Sequence, residues 1–290
     1  MKSFLALLVL FGVTVASPLA EIDFNDIHLN DEDISELMSI QNRIAGGEVA
    51  QPNQFPYQAA LYMRMKDRDG KPIEGGSWCG GSLISNRFIL TAAHCLFVKE
   101  GATIFLGLHN ISKPELGLMS FKVNRTKFII HDDYDPNIAF NDIGLIKLPE
   151  KIEFTKKIAP IKMASKDMTQ DQIEGKTVIA SGWGKTGDDG FISRVLRFVK
   201  RTVLPHKPCR EHFPKSYRQR KEICVDGSDA KSVCGGDSGG PLVMEDANGE
   251  RTLIGLTSFG SRHGCSKGFP TVFTRVSAFR DWITQFTGKL

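Results

Sequence analysis

Apolar residues after residue 44 come in short or alternating runs separated by glycine, asparagine and proline. The clearest runs span 82–93, 119–130, 176–184 and 251–260. Such patterns predict short strands of an all-β sandwich or barrel. Near the end of the chain the spacing becomes helical, with apolar residues at Val276, Phe279, Trp282, Ile283 and Phe286. These residues share one face, which predicts a helix over about 276–287 that docks on the β-structure.

The first 43 residues have a different character. A short positive start is followed by an apolar run over 4–16, which is shorter than the roughly 20 residues that span a membrane. This run predicts a secretory signal peptide over 1–16, with cleavage after Ala16 because Thr14 and Ala16 satisfy the small-residue rule. Residues 17–43 contain seven acids and one base, which indicates either a solvated acidic leader or a propeptide that is removed.

Composition narrows the class of protein. The chain has 290 residues, of which 41% are hydrophobic and 24% are charged, and this balance excludes disordered and coiled-coil proteins. We expect a secreted, extracellular protein with no membrane span. The whole chain carries +4, whereas residues 44–290 keep 35 bases and 26 acids, a net charge of +9. Because no nucleic-acid-binding motif accompanies this charge, we expect a solvated basic surface and no nucleic-acid partner.

The six cysteines fit an oxidising compartment. An even count in a secreted chain predicts three disulfides, for which 15 pairings are possible from the count alone. A structural zinc site would need clustered C-x2-C spacings, and the sequence has none. We therefore expect disulfides and no metal.

Three short segments carry the chemistry, centred on His94, Asp142 and Ser238. The serine is flanked by four glycines, which indicates unusual backbone angles or close approach to a ligand. A serine hydroxyl is a poor nucleophile unless a base takes its proton, and a histidine oriented by a buried carboxylate is suited to that task near pH 7. Backbone N–H groups near the serine can then stabilise an oxyanion.

An alternative class uses a similar serine motif. Gly236-x-Ser238-x-Gly240 matches the nucleophile elbow of α/β-hydrolases, but that class needs the order serine, acid, histidine. Only 52 residues follow Ser238, and the strand–helix alternation is missing. The elbow interpretation is therefore rejected.

On these residues the chain resembles the chymotrypsin-type serine proteases. Matching motifs are Arg43–Gly47 at the activation site, Thr91–Cys95 around the histidine, Gly236–Pro241 around the serine and Ser258–Gly260 in the substrate-binding strand. The resemblance covers 44–290 and is nearest to secreted digestive chymotrypsins and elastase-like enzymes of arthropods. It implies an all-β fold of two six-stranded antiparallel Greek-key β-barrels, over about 44–157 and 158–275, with a C-terminal α-helix.

The resemblance implies a role for each central residue. Ser238 attacks the peptide carbonyl, His94 acts as base and then as acid, and Asp142 orients the imidazole. The N–H groups of Gly236 and Ser238 form the oxyanion hole, and Ser258 donates a hydrogen bond to Asp142. The alternative is a catalytically inactive binding homologue. Such relatives usually lose one of the three residues, and all three are present here, which favours the enzyme.

Activation and cross-linking are implied in the same way. Cleavage after Arg43 by a trypsin-like protease frees the amine of Ile44, which inserts beside Asp237 and shapes the oxyanion loop. The implied disulfides are Cys79–Cys95, Cys209–Cys224 and Cys234–Cys265. No cysteine is left to hold the leader after cleavage.

Specificity is expected from a pocket whose floor lies six residues before the serine, at Ser232, followed by Val233. An acid at the floor would pair with arginine or lysine, and Ser232 cannot do so. Gly260 is expected to keep the entrance open, Thr271 narrows the interior, and Phe259 supplies an apolar wall to upstream substrate residues. We expect cleavage after Phe, Tyr, Leu or Met, with an elastase-like preference for small aliphatic residues as the alternative.

Further expectations concern modification and partners. Asn110 and Asn124 begin glycosylation sequons. Leu108 stands where the first calcium ligand of some relatives would be, so we expect no tight calcium site and no cofactor. The partners expected are protein and peptide substrates, an activating protease and protein protease inhibitors. We expect a monomer, with the gut lumen as one possible location.

Overall fold

The fold of this chain is taken from a computed structural model, which describes residues 47–66, 71, 73, 75–113 and 115–290. The predicted signal peptide, the acidic leader, and the activation residues Arg43 and Ile44 lie outside the described residues. No helix within the described part is long and apolar enough to cross a membrane.

Fifteen strands in the described ranges form two sheets. The first sheet contains β2 (Gln58–Arg64), β3 (Ser77–Leu83), β4 (Phe88–Thr91), β5 (Gly101–Leu106), β6 (Met119–Asn124), β7 (Phe128–Ile130) and β8 (Gly144–Lys147). The second contains β1 (Glu48–Val49), β9 (Lys162–Met163), β10 (Thr177–Gly182), β11 (Arg197–Thr202), β12 (Glu222–Val225), β13 (Pro241–Glu245), β14 (Arg251–Phe259) and β15 (Thr271–Arg275).

Three α-helices and three 3-10 helices complete the described elements. The α-helices are α1 (Ala93–Leu96), α2 (His206–His212) and α3 (Arg280–Thr287). The 3-10 helices are Arg125–Lys127, Ser228–Ala230 and Val276–Phe279.

The first sheet closes on itself because one bent strand occupies both of its ends. The strand order is β6-β5-β2-β3-β4-β8-β7. Only the 3-10 helix Arg125–Lys127 separates β6 from β7, so residues 119–130 pair first with β5 and then with β8. The predicted six strands are thus counted as seven. Inside, the buried side chains of Leu61, Ile89 and Ile104 form the core of this barrel.

The second sheet closes in a similar way. Its order is β1-β11-β10-β13-β14-β15-β12, with β9 added parallel to β14. Just past β11, Val203 forms a bridge to Val225 of β12, and the amide of Leu204 donates to the carbonyl of Cys224 at 2.8 Å. The two-residue strands β1 and β9 raise the predicted six strands to eight. The predicted fold class of two antiparallel barrels is confirmed.

The C-terminal helix docks where the barrels meet. Val276, Phe279 and Ile283 are buried, as the helical spacing predicted. The first turn is a 3-10 helix instead of an α-helix, and Phe286 is 36% exposed, so the apolar face is shorter than expected. The half-buried Trp282 stacks on His131 of the first barrel, with 5.3 Å between ring centroids. The helix therefore holds the two barrels together.

Bare backbone forms a close contact between the barrels. The amide of Gly80, in β3, donates to the carbonyl of Ser238 at 2.7 Å. A β-carbon on Gly80 would lie only 2.7 Å from the Cα of Gly240. Gly80 and Gly240 thus allow the segment around Ser238, called the serine segment below, to lie directly against β3 of the first barrel.

We expect Gly80→Ala to destabilise the fold, because its methyl group would meet backbone that cannot rotate away. Overpacking of this kind costs about 1–3 kcal/mol. Gly260→Ala is the matched control, since a β-carbon there meets nothing within 4 Å. Denaturant unfolding of both variants is the measurement. Equal free energies of unfolding would contradict the tight contact between the barrels.

Candidate active site

Ser238 lies in a turn that only glycine-rich sequence can form. Gly236 and Gly239 have φ angles of 100° and 73°, in the left-handed region. A β-carbon on Gly239 would lie 2.1 Å from the Oγ1 of Thr91. The amide of Gly239 donates to the carbonyl of Thr257 at 2.8 Å, which fixes the turn to β14. Gly236 and Gly239 are therefore required by both backbone angle and space.

His94 is placed beside this turn by the single-turn helix α1. The small buried residues Ala92 and Ala93 let the helix begin directly after β4. The sulfur of Cys95 lies 3.8 Å from the Nε2 of His94 and 3.4 Å from the carbonyl oxygen of Ser238. The imidazole and the serine segment thus contact the same sulfur, and the disulfide of Cys95 to Cys79 fixes that atom.

Asp142 is buried, with 1% of its surface exposed, and each carboxylate oxygen has a defined partner. Its Oδ1 accepts from the amide of His94 at 2.9 Å, and its Oδ2 lies 2.8 Å from the Nδ1 of His94. Ser258 donates to Oδ2 at 2.6 Å, as predicted. Thr274 donates to the backbone carbonyl of Asp142 at 2.8 Å. Both barrels therefore position one carboxylate.

The electrostatics follow from this burial. Burial alone would lower the pKa of His94, but the charge and hydrogen bond of Asp142 outweigh it and hold that pKa above its ordinary value. Burial alone would raise the pKa of Asp142, and here His94 and Ser258 outweigh it, so the pKa is lowered. The carboxylate stays ionised, and the imidazole accepts a proton more readily than a free histidine.

Sequence reasoning missed two residues that hold Asp142 in place. Asn141 has a φ of 53°, and its side-chain amide donates to the carbonyl of Asp133 at 2.8 Å. Lys221, next to β12, donates to the Oδ1 of Asn141 at 2.6 Å, and its ammonium lies 4.6 Å from the centre of the Phe140 ring. A lysine and an asparagine 80 positions apart give no local sequence signal.

A cavity of about 520 Å³ opens beside Ser238 and contains the predicted specificity residues. The hydroxyls of Ser232 and Thr271 lie 2.7 Å apart and share a hydrogen bond, and both residues are buried. Gly260 is exposed at the entrance, where a β-carbon would meet nothing within 4 Å. Val233, Ser258 and Phe259 also line the cavity. The structure therefore brings together all six residues expected here.

Two acids near this cavity were not singled out by sequence. Asp226 lines a small space behind Ser232 and Thr271, where it forms an ion pair with Arg201. Asp188 lines the cavity itself and accepts from the amide of Cys265 at 2.6 Å, with Lys267 3.8 Å away. Asp226 is thus paired directly, whereas the Oδ2 of Asp188 has no hydrogen bond within the described structure.

Asp237 points away from the cavity into a space made by glycines. It is 1% exposed, and its carboxylate accepts from the amides of Gly184 at 2.7 Å and Cys234 at 2.9 Å. A β-carbon on Gly182 or Gly184 would lie within 2.3 Å of the carboxylate. Burial raises the pKa of Asp237 to about 6, and no cation among the described residues forms an ion pair with it.

All three implied disulfides are formed, namely Cys79–Cys95, Cys209–Cys224 and Cys234–Cys265. The last of these joins the serine segment to the loop on the opposite side of the cavity. Two clusters of potential metal ligands among the described residues contain the sulfurs of these disulfides. Such sulfurs lack the thiolate that binds metals.

The sequons differ in accessibility. Asn124 is exposed at the end of β6, where its side chain accepts from the amide of Thr126 at 3.1 Å. Asn110 is half-buried and pairs through its backbone with Val195. In the loop after Leu108, Glu115 accepts from the amides of His109 and Asn110, both at 2.8 Å.

Fold and site together define a class, the serine hydrolases in which a buried Asp–His pair serves a serine at the junction of two β-barrels. Comparisons with known proteins agree. A sequence profile described as Trypsin matches residues 44–283. Collagenase of Hypoderma lineatum is 37% identical over 86% of this chain and 88% of its own length. Brachyurin of Leptuca pugilator is also 37% identical, over 84% of this chain and 99% of its own.

A third relative matches almost from end to end. Chymotrypsin of Phaedon cochleariae is 33% identical over 98% of this chain and 97% of its own. The solved structure of HL collagenase superposes with a TM-score of 0.71 at 34% identity, covering 84% of this chain and 99% of that one. The chain therefore belongs to the trypsin family. It is a serine endopeptidase of the chymotrypsin-like type, and its substrates are proteins.

We expect Asp142→Asn to lower the pKa of His94 below its ordinary value, because burial would then act without an opposing charge. Titration of the imidazole proton resonances by NMR measures this directly. Asp133→Asn, at an exposed position in the same loop, is the matched control and should leave the titration unchanged. An unshifted His94 in Asp142→Asn would show that the pair is not electrostatically coupled.

Proposed function

We propose that the chain is the secreted zymogen of an endopeptidase that cleaves after apolar residues, with Ser238 as its nucleophile. The observation that carries the specificity is the neutral hydrogen-bonded pair of Ser232 and Thr271 at the inner end of the cavity. A cationic side chain there would lose its hydration without gaining a partner, which is costly. Of the two acids beside the cavity, Asp226 pairs with Arg201, and Asp188 accepts from the amide of Cys265 with Lys267 3.8 Å away.

The proposed mechanism uses the geometry around Ser238. His94 takes the hydroxyl proton of Ser238 as the oxygen attacks the scissile carbonyl, and Asp142 stabilises the imidazolium that forms. The N–H groups of Gly236 and Ser238 donate to the oxyanion; among the described residues, neither amide donates to a backbone carbonyl. His94 then protonates the leaving amine. Water, activated by the same imidazole, hydrolyses the acyl-enzyme and restores Ser238.

The size of the preferred side chain is the finer part of the proposal. Gly260 leaves the entrance open, which favours Phe, Tyr, Leu and Met. Thr271 occupies interior volume, and this favours the second candidate, an elastase-like preference for small aliphatic residues. The chymotrypsin relative that matches nearly the whole chain supports the first candidate.

A peptide-library cleavage profile tests the proposal. The full chain is profiled before and after brief trypsin treatment, with the trypsin then inhibited, and Ser238→Ala serves as the inactive control. Cleavage after Phe, Tyr, Leu or Met that requires both activation and Ser238 supports the proposal. Preference for Ala or Val would establish the elastase-like alternative, whereas cleavage after Arg or Lys would overturn the assignment of the cavity.

We expect Thr271→Gly to shift the profile toward larger side chains. Removing the side chain adds volume at the inner end of the cavity and leaves the Ser232 hydroxyl to water. One methylene in such a site changes selectivity by about 10- to 200-fold, so the ratio of kcat/KM for Phe over Ala substrates should rise by at least tenfold. Thr252→Gly, in the outer part of β14, is the matched control for losing a threonine from a strand. An unchanged ratio would show that Thr271 does not limit the side chain.

Activation is proposed to work through Asp237. Its buried carboxylate has only amide donors among the described residues, and its raised pKa shows that the charge is under-compensated. An ammonium group would stabilise the ionised form and lower that pKa. Cleavage after Arg43 by a trypsin-like protease would supply one at Ile44. The residues before it, 1–16 and 17–43, would be the signal peptide and the propeptide.

We expect Ile44→Gly and Asp237→Ala to stay nearly inactive after verified cleavage at residue 43. Asp237→Ala removes one partner of the proposed buried ion pair, which costs about 3–5 kcal/mol, or roughly 10²- to 5 × 10³-fold in the active population. Ile44→Gly keeps the new amine but loses the apolar side chain whose burial would hold that amine in place, which costs about 1.5–3 kcal/mol. Asp171→Ala removes an exposed acid and is the control. Turnover of an apolar peptide substrate and labelling of Ser238 by a phosphonylating probe are measured. Full activity of either variant would end this account of activation.

Several expectations stay predictions. They are secretion through residues 1–16, release into the gut lumen, glycosylation at Asn110 and Asn124, inhibition by protein protease inhibitors, and a monomeric state.

A further inference from the structure

A second groove continues from the specificity cavity along the outer surface. Its volume is about 450 Å³, and five residues line both spaces: Phe259, Gly260, Ser261, Arg262 and His263. Its other walls come from the segments 136–139 of the first barrel and 212–216 of the second. A peptide whose side chain fills the cavity would therefore pass through this groove with its neighbouring residues.

The floor of the groove is aromatic and ordered. Phe213 meets Phe259 edge to face, with 5.3 Å between ring centroids and 88° between ring planes. His212 meets Phe213 at 4.6 Å and stacks on Phe269 at 4.4 Å. The side chain of Ile138 lines the opposite wall. Such a floor accepts apolar parts of a peptide.

The rim carries the charge. Lys215 and Arg262 are exposed on the rim, beside the exposed imidazole of His263, and no acidic residue lines the groove. Neither Lys215 nor Arg262 forms an ion pair with another described residue, whereas the nearby Lys267 pairs with Asp188 at 3.8 Å.

One acid directly precedes each of the two wall segments, 212–216 and 136–139, and both acids have partners of their own. Glu211 lies 3.8 Å from Lys207 within α2. The carboxylate of Asp135 accepts from the amide of Asn137 at 2.9 Å. The two cations of the rim thus lack a compensating charge within the described structure.

We propose that Lys215 and Arg262 on the rim select an acidic side chain among the substrate residues on the amino side of the scissile bond, which pass through this groove. The inference rests on the proposed function, because the cavity must hold the residue before the scissile bond. The substrate class is then a peptide with Asp or Glu two to four residues upstream of an apolar residue. Lysine and arginine at the same upstream positions are disfavoured by like charge.

Matched fluorogenic peptides test this selection. The activated full chain is assayed with a series that differs only at one upstream position, which is Glu, Gln or Lys, while the residue before the scissile bond is the best one from the cleavage profile. We expect kcat/KM to be about 3- to 10-fold higher for Glu than for Gln, and lower for Lys. The Glu preference should approach one in 1 M salt, where the screening length is about 3 Å.

Variants separate the rim charges from general effects. Lys215→Gln with Arg262→Gln should bring the Glu-to-Gln ratio of kcat/KM to about one. Arg262→Glu should reverse the preference toward Lys. Lys200→Gln removes an exposed charge from β11 and should leave every ratio as in the parent chain.

Two kinds of failure are distinguishable. Equal kcat/KM for the Glu, Gln and Lys peptides, or a Glu preference that survives in the double variant, would overturn the acidic selection and leave the proposed peptidase intact. If no peptide of any series is cleaved and Ser238 is unreactive to a phosphonylating probe, the proposed function itself fails.

Discussion

The buried carboxylate of Asp142 is the interaction on which the site depends. A buried charge is costly unless hydrogen bonds and an opposite charge compensate it, and no single part of the chain supplies enough of them. His94 approaches from the first barrel, while Ser258 and Thr274 reach it from the second. The ionised carboxylate is therefore stable only when the barrels are packed together. Packing of the two barrels and formation of the Asp142–His94 pair are therefore coupled.

This dependence explains why the contact between the barrels is made of glycine and backbone. Side chains at Gly80 or Gly239 would push the segment around Ser238 away from β3 and β4 of the first barrel. The serine segment is instead held by hydrogen bonds from its own backbone to both barrels. The fold is held here by the backbone of Ser238 and Gly239, not by the Ser238 hydroxyl. A nucleophile needs this, because its hydroxyl must change hydrogen-bond partners during the reaction.

Sequence was informative wherever the signal was local. The glycines around Ser238, the small residues before His94 and the alternation over 119–130 each sit within a dozen positions, and the structure gives each the expected place. Lys221, Asp188 and Asp226 went unnoticed because a lone charged residue in a polar segment says nothing about the partner it meets across the fold. The short apolar face of α3 was overestimated for a related reason. Periodicity shows which residues share a face, but it does not show how far the neighbouring surface extends to cover Phe286.

Closure of the barrels affects how the enzyme meets the peptide fragments around it. A protease works among partly degraded chains, and extended fragments readily add to a free sheet edge or seed aggregates there. In the first barrel, the bent strand over 119–130 supplies both ends of the sheet, and in the second, Val203 and Val225 join the ends. The described sheets thus offer such fragments little exposed edge.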